Sequence, residues 1–280
     1  MDQLIWRQHF VPQFYLDAWV DPTLPTSANR ELWRVDLRYG DIKHASPESV
    51  GYKRYHNEYS DKFRGTRSLE KEYGCHERAA APVLKAIGAG CSTLNDHQRE
   101  ALMRFLALQM ARTPIGREYM AQHLQSLGLS PAHDDVLDAC YEEALGRVTQ
   151  RLMMAKWSGC VAREPVFVTC DHPAALIREQ DARRPEWHLV FPVTPSVLLL
   201  GCLTPINCRE RHAVHHADEH MLNKTVVACA RRQIYTHRRT AAEDALSVVT
   251  RLQSEERNRL LSLLRTRIGL AHARQLPTRA

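Results

Sequence analysis

The chain lacks the glycine-based and cysteine-based motifs that identify many enzyme classes. It has no phosphate-binding glycine-rich loop, no Rossmann fingerprint and no Gly-x-Ser-x-Gly elbow. These absences disfavour nucleoside-triphosphate hydrolysis, dinucleotide redox chemistry and ordinary serine hydrolase chemistry. Its eight cysteines are never spaced as Cys-x-x-Cys, which argues against a zinc ribbon or a thioredoxin-type motif. We expect scattered, reduced thiols.

Long apolar runs are also missing. No window approaches the roughly 18 uninterrupted apolar residues that a membrane helix requires, and Met1-Asp2-Gln3 opens without the basic and apolar regions of a secretory signal. We therefore expect a cytoplasmic protein without membrane partners. With 280 residues and 44% apolar content, the chain can bury a sizeable core. We expect a single domain over residues 1–280.

Acidic residues are absent from the end of the chain. The stretch from Arg257 to Ala280 carries six arginines and no acid, while the whole chain has a net charge of +6. Such a tract suits the neutralisation of nucleic-acid phosphates, and arginine binds phosphate bidentately. A solvated helix face leading into a frayed basic tail is the alternative interpretation. The Arg257–Arg279 region is thus a candidate contact for nucleic acid.

The periodicity of apolar residues predicts an α+β fold with a helical middle and C-terminus and a small, mostly antiparallel sheet. Residues 1–60 contain a motif-rich start and a hairpin turning at Tyr39-Gly40-Asp41. Residues 65–160 form the helical region, with helices at 68–88, from an Asn95-Asp96 cap onward, and from about His133 to Trp157. Short strands occupy 165–205, near 166–169, 187–191 and 196–201. C-terminal helices follow within 215–275, at roughly 216–233 and 240–272.

The N-terminal segment combines chemically active side chains with aromatic residues and a proline. It reads Gln8-His9-Phe10-Val11-Pro12-Gln13-Phe14-Tyr15-Leu16. This segment resembles the opening of the bacterial family called domain of unknown function 4238, whose members typically begin Gln-His-aromatic-Val-Pro-x-x-Tyr-Leu. The resemblance implies relatives and no particular activity.

Further patches of the same resemblance follow in order along residues 8–235. His172 stands where Asn is usual in the family. The patches are Leu69-Glu70 with Glu77, Phe105-Leu106-Ala107-Leu108-Gln109 leading to Arg112-Thr113-Pro114, Val168-Thr169-Cys170-Asp171-His172-Pro173, and Leu222-Asn223 with Tyr235.

Four side chains are candidates for catalysis. Pro12 disfavours helical geometry before it, so His9 lies in an extended segment where it can serve as a general acid or base. Tyr15 belongs to the same motif. Asp171 follows an apolar strand, and Arg112 leaves an apolar helix near Pro114, where it is placed to bind an anion. For His9 and Asp171, a buried structural histidine and an aspartate accepting backbone bonds in a turn are the alternatives.

Carboxylates at helical spacing predict a metal site. Glu70 and Glu77 are seven residues apart and share a helix face, and with Asp171 they supply the oxygen ligands that Mg²⁺ or Mn²⁺ prefers. The alternative for each glutamate is an exposed, solvated position.

Three further polar side chains are predicted to contact a substrate. Arg117 is placed either to bind an anion or to tether a carboxylate. Gln13 and Asn223 belong to segments that carry the family resemblance.

These residues favour a metal-assisted hydrolase that cleaves phosphodiester bonds in nucleic acid or a nucleotide. In that mechanism His9 moves a proton and Arg112 stabilises charge. The alternative is a non-catalytic protein that binds nucleic acid or a protein partner, in which the same polar residues lock the N-terminal segment against the helices.

Overall fold

The computed structural model of the protein describes residues 7–24, 30–59, 69–179, 186–203 and 219–252. Its helices are α1 (Gln13–Leu16), α2 (Leu69–Gly88), α3 (Asp96–Arg112), α4 (Pro114–Ser126), α5 (His133–Glu143), α6 (Thr149–Met154), α7 (Glu219–Cys229) and α8 (Arg239–Arg251). Its strands are β1 (Arg7–His9), β2 (Leu32–Asp36), β3 (Asp41–Ala45), β4 (Tyr52–Arg54), β5 (Lys156–Val161), β6 (Thr169–Cys170), β7 (Ala175–Glu179), β8 (Glu186–Thr194), β9 (Val197–Cys202) and β10 (Gln233–Thr236).

The strands of the described ranges form three antiparallel sheets. β1 pairs with β4, four strands are ordered β3-β2-β10-β6, and four more are ordered β5-β9-β8-β7. Together with the helices they confirm the predicted α+β class. The described ranges contain no helix that is both long and apolar enough to cross a membrane.

The predicted hairpin is present as β2 and β3. Leu32 pairs with Ala45 and Asp36 with Asp41, so the turn falls on the expected Tyr39-Gly40-Asp41 segment. Gly40 has a φ of +66°, a left-handed conformation that glycine adopts without a steric penalty. The turn chemistry of the sequence therefore determined this register.

Helix α3 starts and ends where the sequence predicts. Asn95 accepts a hydrogen bond from the Gln98 backbone, and the Gln98 side chain returns one to the Asn95 backbone, which forms a capping box. The helix ends at Arg112, and Pro114 opens the new helix α4 instead of kinking the old one. Thr113 caps α4 by accepting from the Gly116 N–H at 3.2 Å.

The predicted helix from His133 to Trp157 is interrupted and shorter. It comprises α5, a π-helical turn at Ala144–Val148 and α6. Trp157 lies instead in β5, opposite Gly201 of β9. A side chain at position 201 would approach the Trp157 ring to 2.8 Å, so the glycine leaves room for the indole on the sheet surface.

Several elements differ from the sequence-based predictions in kind. Strand β10 lies where the sequence predicts the end of a helix and the residues that follow it. The sequence predicts no strand at the positions of β5 and β7. Residues 166–168 lie outside regular structure, and strand geometry starts at Thr169. The predicted helix from 240 is confirmed as far as Arg251, and its remainder to 272 lies outside the described residues.

The buried apolar side chains form one contiguous cluster in which the helical middle packs on the sheets. Phe105 of α3 lies edge-on to Phe191 of β8, with ring centroids 6.1 Å apart. Tyr15 contacts the same Phe191 ring at 5.2 Å. The N-terminal segment is therefore part of the main core.

We expect Gly116→Ala to destabilise the fold strongly. A Cβ at this position would come closer than 3.0 Å to the carbonyl oxygens of Met110 and Ala111, because α3 ends directly against the first turn of α4. The overpacked junction should lower the free energy of unfolding by about 1–3 kcal/mol, measured by urea denaturation.

Gly146→Ala is the matched control, since a Cβ at Gly146 has open space within 4 Å. A helical Gly→Ala change there should leave stability unchanged or raise it by roughly 0.5–1 kcal/mol. Equal effects of the two substitutions would contradict the close approach of α3 and α4.

Candidate functional site

The N-terminal motif is held in an extended conformation beside the loop that precedes β4. The backbone N–H groups of Phe10 and Val11 both donate to the Gly51 carbonyl, at 2.8 and 3.1 Å. Gly51 has a φ of +64°, and a Cβ there would lie 3.0 Å from the Val11 side chain. Backbone pairing thus directs Gln8 inward and leaves His9 half-buried.

Gln8 is completely buried and acts as a bridge. Its Nε2 donates to Glu58 at 2.5 Å, and its Oε1 accepts the Asn57 backbone N–H at 2.5 Å. Both ends of the amide are satisfied by the segment that follows β4. Gln8 of the N-terminal motif therefore contributes to folding by fixing the positions of residues 57 and 58.

Arg112 places a buried positive charge at the end of α3. Its side chain is 2% exposed and pairs with Glu77 of α2, with Nη1 and Oε1 separated by 2.5 Å. Its Nε and Nη2 donate to Gln109 at 3.1 and 3.0 Å, and Gln109 in turn donates to the Phe10 carbonyl at 2.7 Å. The guanidinium also lies over the Tyr73 ring, 5.5 Å from its centroid. One arginine thus joins α2, α3 and the N-terminal motif.

Arg117 forms a second buried junction from α4. Its guanidinium donates to the His56 carbonyl and, at 2.5 Å, to the Asn57 side chain. The Asn57 side-chain amide in turn donates a hydrogen bond to the Glu70 carboxylate of α2, also at 2.5 Å. Arg117 therefore tethers a backbone carbonyl and an amide, where the sequence predicts a carboxylate, and its predicted contact with a substrate stays a prediction. We call Gln8, Asn57, Glu70, Glu77, Gln109, Arg112 and Arg117 the signature network.

Sequence reasoning missed two members of this junction, His56 and Asn57. His56 donates from Nε2 to the Arg112 carbonyl at 2.7 Å, and burial together with the Arg117 charge lowers the pKa of His56 to about 2. With a carbonyl as its partner, the neutral ring must donate through Nε2. The run of polar residues His56-Asn57-Glu58 between Tyr55 and Tyr59 was the available signal.

His9 makes longer polar contacts than Gln8 and Tyr15, the other polar side chains named in the family motif. Its Nε2 lies 3.3 Å from the Glu48 carbonyl, and the Gln13 amide lies 3.3 Å from the ring. Burial lowers the pKa of His9, and the charges of Arg112 and Arg7 act in the same direction, while the Glu48 carbonyl and Glu77 oppose them. The ring is consequently neutral at pH 7 and able to accept a proton.

Tyr15 lies in the core, away from the half-buried His9. Its hydroxyl donates to the Pro192 carbonyl at 2.7 Å and lies 2.7 Å from the Thr169 hydroxyl. Complete burial raises the pKa of Tyr15 well above its usual value. These contacts fasten α1 to the sheet, and the predicted catalytic role of Tyr15 stays a prediction.

Asp171 holds together two distant parts of the chain. Its carboxylate accepts three backbone N–H groups, from Arg231 at 2.8 Å, Arg232 at 2.7 Å and Gln233 at 3.2 Å. Burial raises the pKa of Asp171 to about 6, and the three backbone hydrogen bonds oppose that rise. Asp171 accepts backbone N–H groups, as the turn-aspartate alternative expects, but those groups lie 60 to 62 residues further along the chain and not in its own turn.

Asn223 plays a similar bridging role from α7. Its Oδ1 accepts the Val168 N–H at 3.1 Å, and its Nδ2 donates to the Val166 carbonyl at 2.7 Å. The amide therefore substitutes for a strand partner along residues 166–168. Its predicted contact with a substrate stays a prediction, as does that of the exposed Gln13.

The three carboxylates predicted to bind a metal take part in separate contacts. Glu70 accepts from Asn57, Glu77 accepts from Arg112, and Asp171 accepts from the 231–233 backbone. Burial raises the pKa of Glu70, which disfavours its charged form. Among the described residues no three His, Cys, Asp or Glu side chains are grouped so that they would hold an ion. The Mg²⁺ or Mn²⁺ site therefore stays a prediction from the sequence.

The Arg257–Arg279 tract, predicted to contact nucleic acid, lies outside the described residues. The nucleic-acid partner therefore stays a prediction.

The geometry defines an α+β protein in which a buried arginine network joins an extended N-terminal motif to a helical middle. Residues 7–240 match the family described as Protein of unknown function (DUF4238), and the chain belongs to that family. Comparison with curated proteins and with solved structures finds no match.

We expect Asp171→Asn to destabilise the protein by about 1–3 kcal/mol, because the amide turns a donor towards buried N–H groups that need an acceptor. Chemical denaturation measures the change. Asp244→Asn, the same replacement at an exposed position of α8, should change stability by less than about 0.5 kcal/mol. Similar values for both variants would mean that Asp171 does not hold the 231–233 segment.

Proposed function

We propose that this chain is a non-catalytic binding protein in which the signature residues build the fold. The observation that carries the proposal is the burial of Arg112 at 2% exposure, with its donors directed at Glu77 and Gln109 of the same chain. A substrate-binding arginine needs donors directed at a cleft, and these donors are directed at the protein interior.

The remaining polar signature residues support the same conclusion. Gln8, Gln109 and Arg117 are at most 7% exposed, and each has a partner on another segment. Buried hydrogen bonds of this kind rigidify a core and favour one arrangement of the segments that they join. The family pattern is thus explained by the need to fix the N-terminal motif against α2, α3 and α4.

The proposal predicts that Arg112→Lys is strongly destabilising. An ammonium is a compact charge and lacks the planar fork by which Arg112 reaches Glu77 and Gln109 together. We expect a loss of about 1–3 kcal/mol, because at least one buried partner is left unsatisfied. Urea denaturation followed by circular dichroism measures it.

Arg104→Lys is the matched control on the same helix. Arg104 is 43% exposed and pairs with Glu100 one turn earlier, so its replacement should cost less than about 0.5 kcal/mol. Wild-type stability in Arg112→Lys would contradict the structural role of the network.

Hydrolysis of a phosphodiester is the second candidate, and His9 favours it. This half-buried, neutral imidazole lies next to Gln13 and within the electrostatic reach of Glu77 and Arg112. In this alternative His9 takes a proton from the attacking water, while the buried Arg112 holds Glu77 in position. Mg²⁺ or Mn²⁺ remains the cofactor expected from the sequence.

The hydrolase alternative predicts that His9→Gln abolishes activity without unfolding the protein. Loss of a general base should lower the rate on bis(p-nitrophenyl) phosphate, assayed with Mg²⁺ or Mn²⁺, by about 10²-fold or more. His97→Gln, at an exposed position of α3, should retain the wild-type rate. Absence of hydrolysis by the wild-type protein, or equal rates in both variants, would reject this alternative.

A further inference from the structure

A cavity of about 420 Å³ lies between α3, α4 and the α5–α6 helix. Met110, Met120, Leu124 and Val148 contribute to its apolar walls, and Leu176 of β7 lies on the sheet side. Its volume falls within the roughly 300–1,000 Å³ of small-molecule sites. The cavity is separate from the signature network, since none of that network's side chains lines it.

Two local features keep this space open. Gly116 and Ala111 bring little side-chain volume to the α3–α4 side. On the opposite side the π-helical turn at Ala144–Val148 widens the helix, and the Thr149 hydroxyl donates to the Ala144 carbonyl at 2.7 Å. Short π-helical turns within α-helices occur frequently at functional sites.

His172 contributes a buried polar side chain to the lining of the cavity. The residue is 9% exposed, and its Nδ1 lies 2.7 Å from the Thr113 hydroxyl. That hydroxyl is 3.4 Å from its other acceptor, the Met110 carbonyl, so the shorter contact favours donation to Nδ1. The ring proton then resides on Nε2, which makes no hydrogen bond with any residue in the described part of the chain.

The charge of the walls argues for an uncharged occupant. Burial lowers the pKa of His172 to about 4, so its ring is neutral at pH 7. Burial also raises the pKa of the Cys140 thiol to about 12. Glu143 and Arg147 pair with each other at 2.8 Å, and their charges largely offset one another. Glu142 also lines the cavity, but its side chain is exposed to solvent, which screens its charge.

We propose that this cavity binds a small, uncharged, mainly aromatic molecule carrying one oxygen acceptor, which receives a hydrogen bond from His172 Nε2. Met110 and Met120 suit an aromatic ring because methionine sulfur packs favourably against ring edges, and Tyr119 adds an aromatic wall. The inference rests on the proposed binding function and specifies its ligand class.

Nile red tests the site directly, because it is an uncharged aromatic dye with a carbonyl acceptor whose fluorescence rises in apolar surroundings. Titration of the full chain should show saturable binding of one dye per protein. Ala111→Phe and Ala139→Phe, on opposite walls, should each weaken binding by about tenfold or more because a phenyl ring fills the space. His172→Asn preserves a group facing Thr113 but removes Nε2, and should weaken binding about three- to tenfold.

Ala89→Phe is the control, since it adds the same ring at an exposed position near the end of α2 and should bind the dye as the wild type does. Absence of saturable binding by the wild-type protein, or wild-type affinity in both cavity-filling variants, would overturn the assignment. The dye titration and the stability of Arg112→Lys are independent measurements, so the ligand site and the structural role of the network can fail separately.

Discussion

The fold depends on burying the charge of Arg112. Removing a guanidinium from water costs several kcal/mol unless its donors are paired in good geometry, and here the partners come from different segments. Glu77 of α2 supplies the opposite charge, while Gln109 relays the contact to the Phe10 carbonyl. The position of the N-terminal motif is therefore coupled to the packing of α2 against α3. Arg117 imposes a second constraint of the same kind on residues 56 and 57.

The junction between α3 and α4 connects this network to the cavity. Arg112 ends α3 inside the network, and the next residue, Thr113, caps α4 and contacts His172. Gly116 allows the first turn of α4 to lie directly against the end of α3 by keeping a side chain away from the α3 carbonyls. The same short segment thus fixes the structural network on one side and orients the cavity histidine on the other. A ligand-binding site can be held rigid in this way by residues that never touch the ligand.

Local sequence signals predicted part of the structure because their physics is local. The Gly40 hairpin and the Asn95–Gln98 capping box depend on groups a few residues apart. The sequence does not predict β10, because this strand is short and its pairing depends on residues far along the chain, such as Asp36 opposite Gln233. The π-helical turn at Ala144–Val148 was also missed, since an apolar stripe spaced for a helix does not specify one extra residue in a turn.

The sequence by itself determined the α+β class, the family and the polar residues of the signature network other than Asn57. It could not determine whether those residues face a cleft or the interior, because a glutamate or arginine has the same local signature in either place. The tertiary structure decided that Arg112 and Asp171 form hydrogen bonds with other groups of the same chain. It also brought Thr113 and His172 together beside the cavity. The physical reason is that burial and hydrogen-bond satisfaction are set by segments distant in the chain, which meet only in the folded protein.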